Sequence, residues 1–79
     1  MPNTPALIGK GITGLFADAG INSSDRALAE TICNAVGQAV WVNEEKLMDA
    51  ATVLGACGTA YALRYIRASM QAGIEIGFD

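Results

Sequence analysis

An apolar stripe at helical spacing runs along the last third of the chain and limits what the chain can fold into alone. Its members recur in steps of three and four: Leu63, Ile66, Met70, Gly73, Ile74 and Gly77. A polar stripe occupies the opposite side of the same predicted helix: Arg64, Arg67, Gln71 and Glu75. The helix predicted at 44–54 is about half as long, so it covers only part of the apolar stripe. The remainder needs another chain or stays mobile, and we expect residues 59–77 to form a homo-oligomer.

The length of the chain also indicates that it needs a partner for stability. It has 79 residues, enough for one small domain or for a piece of a larger protein. A domain of this size is marginally stable unless something staples it. Cys33 and Cys57 are the only candidates for a disulfide, and their settings favour two free thiols in a reducing compartment. We therefore expect a cytoplasmic location.

Composition argues against several classes of function. The formal net charge is −3 and the chain has no histidine. Without a basic patch, nucleic acid is not an expected partner. Without histidine, the chain lacks the commonest general base and the commonest metal ligand, and no metal site is predicted. No apolar run reaches the roughly 20 residues that span a bilayer, so a membrane partner is not expected either.

Local patterns divide the chain into two halves. Residues 1–42 read as strand, helix and strand, and residues 43–79 read as helix, break and helix. In the first half we predict a strand at 10–17, a turn at 18–22, a helix capped by Ser23 or Ser24 and stopped by Gly37, and a strand at 39–42. The predicted class is therefore a mostly helical α/β arrangement.

The second half is predicted to begin at Asn43. This residue would cap a helix whose first turn holds Glu44 and Glu45, where carboxylates are favourable. The glycine-containing segment at 55–58 would interrupt that helix, and a longer helix would start near Thr59. Cys57 lies in the interruption, where it is either a reactive thiol near a helix start or a small packed residue.

Three glycines match the spacing G-x-G-x-x-G: Gly9, Gly11 and Gly14. That pattern binds a pyrophosphate when it follows a strand and opens a helix. Here prolines precede it and a β-leaning run follows, so the glycines are better explained by relief of crowding in a strand. A small stand-alone dinucleotide binder that uses these glycines remains an alternative.

Two other spacings have both a functional and a structural explanation. Glu45 and Asp49 are four residues apart on one predicted helix face, which suits acid–base work but is also common on helix surfaces. Gly73 and Gly77 are four apart, which allows two helices to approach closely or reflects a fraying helix end.

Several segments, taken in order, resemble the pyrroline-5-carboxylate reductases over essentially the whole chain. Met-Pro-Asn-Thr-Pro-Ala-Leu-Ile-Gly-Lys-Gly-Ile-Thr-Gly-Leu at 1–15 looks like the segment that closes the nucleotide domain of that family. Val36-Gly37, Trp41-Val42 and the run Glu-Lys-Leu-Met-Asp-Ala-Ala-Thr at 45–52 look like the entry into its helical domain. The segment at 55–61 occupies the position of the family's Ser-Gly-Ser-Gly-Pro-Ala-Tyr, and the segment at 72–77 is similar to its Ala-Gly-Val-x-x-Gly.

The resemblance implies an enzyme of proline biosynthesis. That family reduces the C=N bond of pyrroline-5-carboxylate with hydride from NADH or NADPH and yields L-proline. Its members have an N-terminal Rossmann domain and an all-helical domain that interlocks in a dimer. By this resemblance residues 1–42 are the end of the dinucleotide-binding domain, and residues 43–79 are the start of the dimerisation domain.

Site residues follow from the same resemblance. Met1, Asn3 and Thr4 would border the nicotinamide, while Glu45 and Thr59 would line the substrate site. No catalytic residue is assigned. The cofactor would be bound mainly by parts of the enzyme that the chain lacks, so the chain alone is expected to be inactive.

This sequence departs from the family pattern at three neighbouring positions. Gly55, Cys57 and Thr59 stand where the family has Ser, Ser and Pro, which removes two hydroxyl groups and a proline that favours helix starts. These changes bear on the geometry of the substrate site and not on the resemblance to the family. A second function class stays open on other grounds, in which the chain is a non-catalytic helical module whose apolar stripe mediates self-association.

Overall fold

The computed structural model describes residues 1–78, and its elements form a strand–helix–strand unit followed by one long helix. In chain order they are a 3₁₀ helix at Thr4–Ile8, β1 at Gly11–Leu15, α1 at Ser23–Asn34, β2 at Gly37–Trp41, α2 at Leu47–Ala51, a π-helical segment at Thr52–Cys57 and α3 at Gly58–Glu75. The predicted mostly helical α/β class is confirmed.

The two strands pair in parallel, with Gly11 opposite Gly37 and Leu15 opposite Trp41. A parallel pair needs a crossover connection, which α1 supplies. The first strand was predicted at 10–17 and is shorter, whereas the second begins two residues before its predicted start at 39.

Gly37 begins β2, and its role as a helix stop was predicted wrongly, because α1 already ends at Asn34. Its backbone φ is 152°, a conformation that residues with a side chain rarely adopt. A Cβ at this position would also collide with the backbone of Gly11. The glycine is therefore required by the close pairing at the start of the two strands.

Asn22 caps α1, in place of the predicted Ser23 or Ser24. Its side-chain oxygen accepts a hydrogen bond from the N–H of Asp25 at 2.8 Å, which satisfies one of the free donors at the helix start and contributes about 1 kcal/mol.

Arg26, one turn into α1, attaches the helix to both strands. It donates to the carbonyl of Ala17 at 2.9 Å, just after β1, and lies 5.2 Å from the ring centroid of Trp41 in β2. The Trp41 Nε1–H in turn donates to Glu30 at 2.9 Å.

The long helix begins later than predicted. Asn43 does not cap it, because residues 43–46 form a bend and a turn and α2 starts at Leu47. The capping position is Lys46, which has a helical backbone and makes no capping hydrogen bond with its side chain. The carbonyl of Glu44 accepts a hydrogen bond from the N–H of Leu47 at 3.0 Å, and the carbonyl of Glu45 accepts one from the N–H of Met48 at 2.9 Å, each three residues further on. Both glutamates therefore precede the first helical turn.

The interruption predicted at 55–58 is a change of helix type, and the chain stays helical through it. The N–H of Gly58 reaches back five residues to the carbonyl of Val53, which is the π-helical pattern. Because no proline lies in the segment, every residue keeps its N–H donor and the helix is continued. The polar stripe and the apolar stripe as far as Ile74 lie on α3, which continues α2 through the π-helical segment, whereas Gly77 lies beyond the end of α3.

The described part of the chain has no hydrophobic core of its own. Among residues 1–78 no hydrophobic residue is buried, and Thr13 in β1, which is 5% exposed, is the one buried polar residue. The molecule measures 59 × 25 × 11 Å, because α3 projects beyond the strand–helix–strand unit. What the fold does create is a junction, where β1 meets the start of the long helix.

Candidate functional site at the strand–helix junction

Asn3 links the two halves of the molecule. Its backbone is extended, with φ of −129° and ψ of 166°, and it lies ahead of β1. The side-chain Nδ2 donates to the carbonyl of Gly55 in the π-helical segment at 2.8 Å. Its Oδ1 accepts from the N–H of Ile12 in β1 at 2.9 Å. One partly buried amide thus holds the edge of the strand and the long helix together.

Thr59 meets the same carbonyl from the other side. It lies at the second position of α3, and its Oγ1 donates to the carbonyl of Gly55 at 2.9 Å. A carbonyl oxygen has two lone pairs and can accept both donors. The structure therefore brings together Asn3 and Thr59, which are far apart in the sequence and were expected to belong to the cofactor and substrate sides respectively.

A pocket of about 260 Å³ lies beside this junction. Its walls come from the strands on one side and from the long helix on the other, and they are mostly apolar. The lining residues are Met1, Ile12, Gly14, Val40, Val42, Ala51, Leu54, Gly55 and Ala56. Met1 is the expected site residue that lines it.

Strand and helix lie close together because Gly14 has no side chain. A Cβ at Gly14 would lie 3.3 Å from the Cβ of Ala51, tighter than ordinary van der Waals contact. Gly11 has a similar role on the other side, where a Cβ would come within 2.9 Å of Ala6. Both glycines relieve crowding in a strand, as the sequence indicated.

The spacing G-x-G-x-x-G therefore does not form a phosphate-binding loop here. Gly9 ends the 3₁₀ helix with a φ of 71°, and the other two glycines lie within β1. Among residues 1–78, no strand precedes Gly9 and no helix begins at Gly14. The helix N-terminus that would face a pyrophosphate is absent from this part of the chain.

The remaining expected site residues lie on the surface. Thr4 is exposed at the start of the 3₁₀ helix, and Glu45 is exposed in the turn ahead of α2. Neither lines the pocket. The paired helix face expected for Glu45 and Asp49 is wrong, because only Asp49 lies within a helix.

Gly55 was missed as a functional position, since its contribution is a backbone carbonyl. No pattern of side chains could have identified it. The one available signal was its place in the glycine-containing segment at 55–58, where the helix was expected to change.

Metal-binding side chains and membrane-spanning helices also bear on the kind of site. In the part of the chain that the structure describes, no group of three or more His, Cys, Asp or Glu side chains could hold a metal ion. Across the same residues, no helix is both long and apolar enough to cross a membrane.

Comparison with known proteins gives one consistent family. Residues 45–79 match the family model described as pyrroline-5-carboxylate reductase dimerisation. The pyrroline-5-carboxylate reductase of Haemophilus influenzae is 40% identical over 79 residues, and that of Pseudomonas aeruginosa is 38% identical over the same length. Each comparison covers 100% of this chain and 29% of the relative.

Solved structures agree with the sequence comparison. A pyrroline-5-carboxylate reductase from Coxiella burnetii superimposes with a TM-score of 0.93 at 35% identity, over 100% of this chain and 29% of that one. The Plasmodium falciparum pyrroline carboxylate reductase with NADP bound gives 0.91 at 35% identity, over 100% and 32%. The chain spans 29% of the length of the curated relatives named above, and over its whole length it is similar to one segment of pyrroline-5-carboxylate reductases.

Proposed function

We propose that the chain forms the junction between the cofactor-binding and dimerising parts of a reductase that converts pyrroline-5-carboxylate to L-proline with NADH or NADPH. The observation that carries this proposal is the meeting of Asn3 and Thr59 on one carbonyl, beside a pocket walled by strands and helix. Similarity to such reductases over the whole length of this chain supports the proposal. In this proposal residues 1–42 end the dinucleotide-binding domain and residues 43–79 begin the dimerisation domain.

The residues present suit one end of the cofactor. The pocket of about 260 Å³ is smaller than the roughly 300–1,000 Å³ of typical small-molecule sites, so it suits a ring and not a whole dinucleotide. Met1, which lines the pocket, and Asn3 and Thr4 in the segment that follows it would border the nicotinamide. The cofactor, when bound, supplies the hydride that reduces the C=N bond. Its pyrophosphate would be held mainly by other parts of the enzyme, because the glycines at 9–14 do not open a helix.

Glu45 and Thr59 would line the substrate side. An imine that carries a proton on its nitrogen accepts the hydride at its carbon, and the C=N electron pair moves to the nitrogen to give a neutral secondary amine. A carboxylate placed nearby stabilises the positive charge of the protonated imine. Glu45 would supply that carboxylate, and the hydroxyl of Thr59 would help to shape the wall.

Association through α3 is the second part of the proposal. The large side chains of its apolar stripe are between 52% and 65% exposed in the single chain: Leu63, Ile66, Met70 and Ile74. Complete burial of one such side chain stabilises by roughly 1.5–3 kcal/mol, so a second copy of residues 59–77 is the expected partner. The two free thiols suit a reducing cytoplasm, which is the proposed location.

A chimaeric enzyme tests the reaction. Residues 1–79 of this chain would replace the matching segment of the Haemophilus influenzae reductase, and we refer to this enzyme as the chimaera. We expect NADPH-dependent reduction of pyrroline-5-carboxylate within about tenfold of the unmodified relative, equivalent to a loss of at most about 1.4 kcal/mol. A chimaera that dimerises but has no activity would favour the non-catalytic self-association module.

The same experiment includes the 79-residue chain alone as its control. Hydride transfer requires cofactor and imine to be held within reach of each other, and the phosphate-binding part is not formed by these residues. We expect neither activity nor saturable NADPH binding in a calorimetric titration. Saturable binding would instead favour the dinucleotide binder built on Gly9, Gly11 and Gly14.

A further inference from the structure

The side-chain amide of Asn3 is engaged by the protein on both sides. An asparagine amide offers one acceptor oxygen and two N–H donors. The oxygen accepts from Ile12 at 2.9 Å and the nitrogen donates to Gly55 at 2.8 Å. One N–H and one lone pair of the oxygen are left, but both ends of the amide are already bonded to the protein, which indicates a structural role.

The bond to Gly55 has a special place in the fold. It joins residues 52 apart in sequence. Within the described range 1–78, it is the one hydrogen bond that connects residues 1–42 to residues 47–78. Apart from this bond, the two parts meet through apolar packing such as that of Gly14 against Ala51. Apolar packing is non-directional, whereas this hydrogen bond requires a definite distance and angle between Asn3 and the long helix.

The acceptor lies where the helix departs from regular geometry. Gly55 is in the π-helical segment at Thr52–Cys57, and single π-helical turns inside α-helices are frequent at functional sites. The same carbonyl is held by Thr59 at 2.9 Å. A shift of the helix relative to β1 would therefore move Thr59 and the pocket wall together.

We infer that Asn3 is a positioning residue, which holds the long helix against β1 and so fixes the distance between the two walls of the pocket. This inference rests on the proposed function, in which one wall serves the cofactor and the other the substrate. Misplacement of a reacting group by about 1 Å can lower a rate by roughly 100-fold. Asn3 then acts on the rate of the chemical step through Gly55, and not by holding the cofactor.

Asn3→Asp in the chimaera is the sharpest test. The carboxylate has the shape of the amide and still accepts from Ile12, but it cannot donate to Gly55 and it faces that carbonyl with a negative charge. We expect kcat to fall by about tenfold or more while KM for NADPH changes by less than about threefold. Asn43→Asp is the matched control, because Asn43 is exposed and makes no side-chain hydrogen bond within residues 1–78. That variant should keep kcat within about twofold.

Hydrogen exchange gives a second readout that does not need activity. Asn3→Ala removes the acceptor of the Ile12 N–H, so exchange at this amide should become faster by about tenfold or more. Asn3→Asp retains the acceptor and should leave the same amide protected. This difference separates loss of the helix bond from general loosening of β1.

Three results would overturn the inference. One is a kcat for Asn3→Asp as high as that of Asn43→Asp. Another is a large rise in KM for NADPH at unchanged kcat, which would indicate direct cofactor contact. The third is unchanged exchange at Ile12 in Asn3→Ala. An inactive unsubstituted chimaera would count against the proposed function alone, and exchange at Ile12 would still decide whether Asn3 is bonded to β1 as the inference requires.

Discussion

At the scale of single residues, Glu45 is where the functional and structural explanations differ most. It is exposed, and it lies in the turn before α2 and outside the first helical turn. Stabilisation by the helix dipole falls off within the first turn, so this explanation of Glu45 is weaker than the sequence suggested. We expect Glu45→Ala in the chimaera to lower kcat/KM by tenfold or more, about 1.4 kcal/mol of transition-state binding. Steady-state kinetics with pyrroline-5-carboxylate would measure it.

Glu44 provides the control for this prediction. It is the neighbouring glutamate in the same exposed turn, and it forms an ion pair with Lys46 at 2.6 Å. Exposed ion pairs contribute about 0–1 kcal/mol, so Glu44→Ala should leave kcat/KM within about twofold. If both variants behave like the unsubstituted chimaera, Glu45 is a surface charge without a part in the reaction.

At the scale of elements, the geometry at the end of α3 assigns different roles to Gly73 and Gly77. The sequence alone left both glycines with the same two explanations, close helix approach or a fraying helix end. The N–H of Phe78 donates to the carbonyl of Gly73 at 2.9 Å, and that of Gly77 donates to Ile74 at 3.1 Å. This is the Schellman pattern, in which the residue just after the C-cap has a positive φ and is usually glycine. Gly77 occupies this position and has a φ of 101°. Gly77 therefore ends the helix and lies outside the apolar stripe. Gly73 lies inside the helix, where close helix approach remains its predicted role.

The two glycines should respond to alanine with opposite signs. Gly77→Ala forces a side chain into a positive φ and should destabilise the helix end by about 1 kcal/mol or more. Gly73→Ala should stabilise the helix by up to about 1 kcal/mol, because the new Cβ would meet only the Cβ of Phe78 at 4.0 Å. Far-UV circular dichroism of the 79-residue chain should show lower helicity for the first variant and higher helicity for the second. A change in the same direction for both would contradict the capping role.

At the scale of the whole molecule, the chain is more extended than a compact domain. Its radius of gyration is 16.9 Å, against about 12 Å expected for a compact domain of this length. Every residue of α3 from 60 to 72 is exposed, and isolated helices in water are marginal even when their sequence favours them. The apolar face of α3, which a compact domain would bury in its core, is not covered by any other part of residues 1–78.

We therefore expect the 79-residue chain alone to be either oligomeric or poorly ordered. Analytical ultracentrifugation over a range of concentrations, combined with thermal melting, would distinguish these outcomes from a folded monomer. The chimaera serves as the reference, because there the rest of the enzyme can cover the apolar faces. A compact monomer of the isolated chain that melts cooperatively would refute the expectation.

Local sequence was sufficient for the elements and for part of their limits. The apolar stripe of α3 and the β-leaning run around β1 follow from spacing, since side-chain direction repeats every 3.6 residues in a helix and every two in a strand. The caps were less predictable. Asn22, Ser23 and Ser24 can all cap a helix, and only the backbone path after β1 selects the first of them. The resemblance named the family, and the comparisons confirmed it.

The sequence by itself thus determined which segments are helical or extended, and that a long apolar face would lack a partner within the chain. Only the tertiary structure decided that Asn3 meets Gly55, that Gly14 admits Ala51, and that the expected break continues as a π-helical turn. The physical reason is range. Periodicity and capping act over a few residues, whereas a hydrogen bond across 52 positions depends on how strand and helix pack in space.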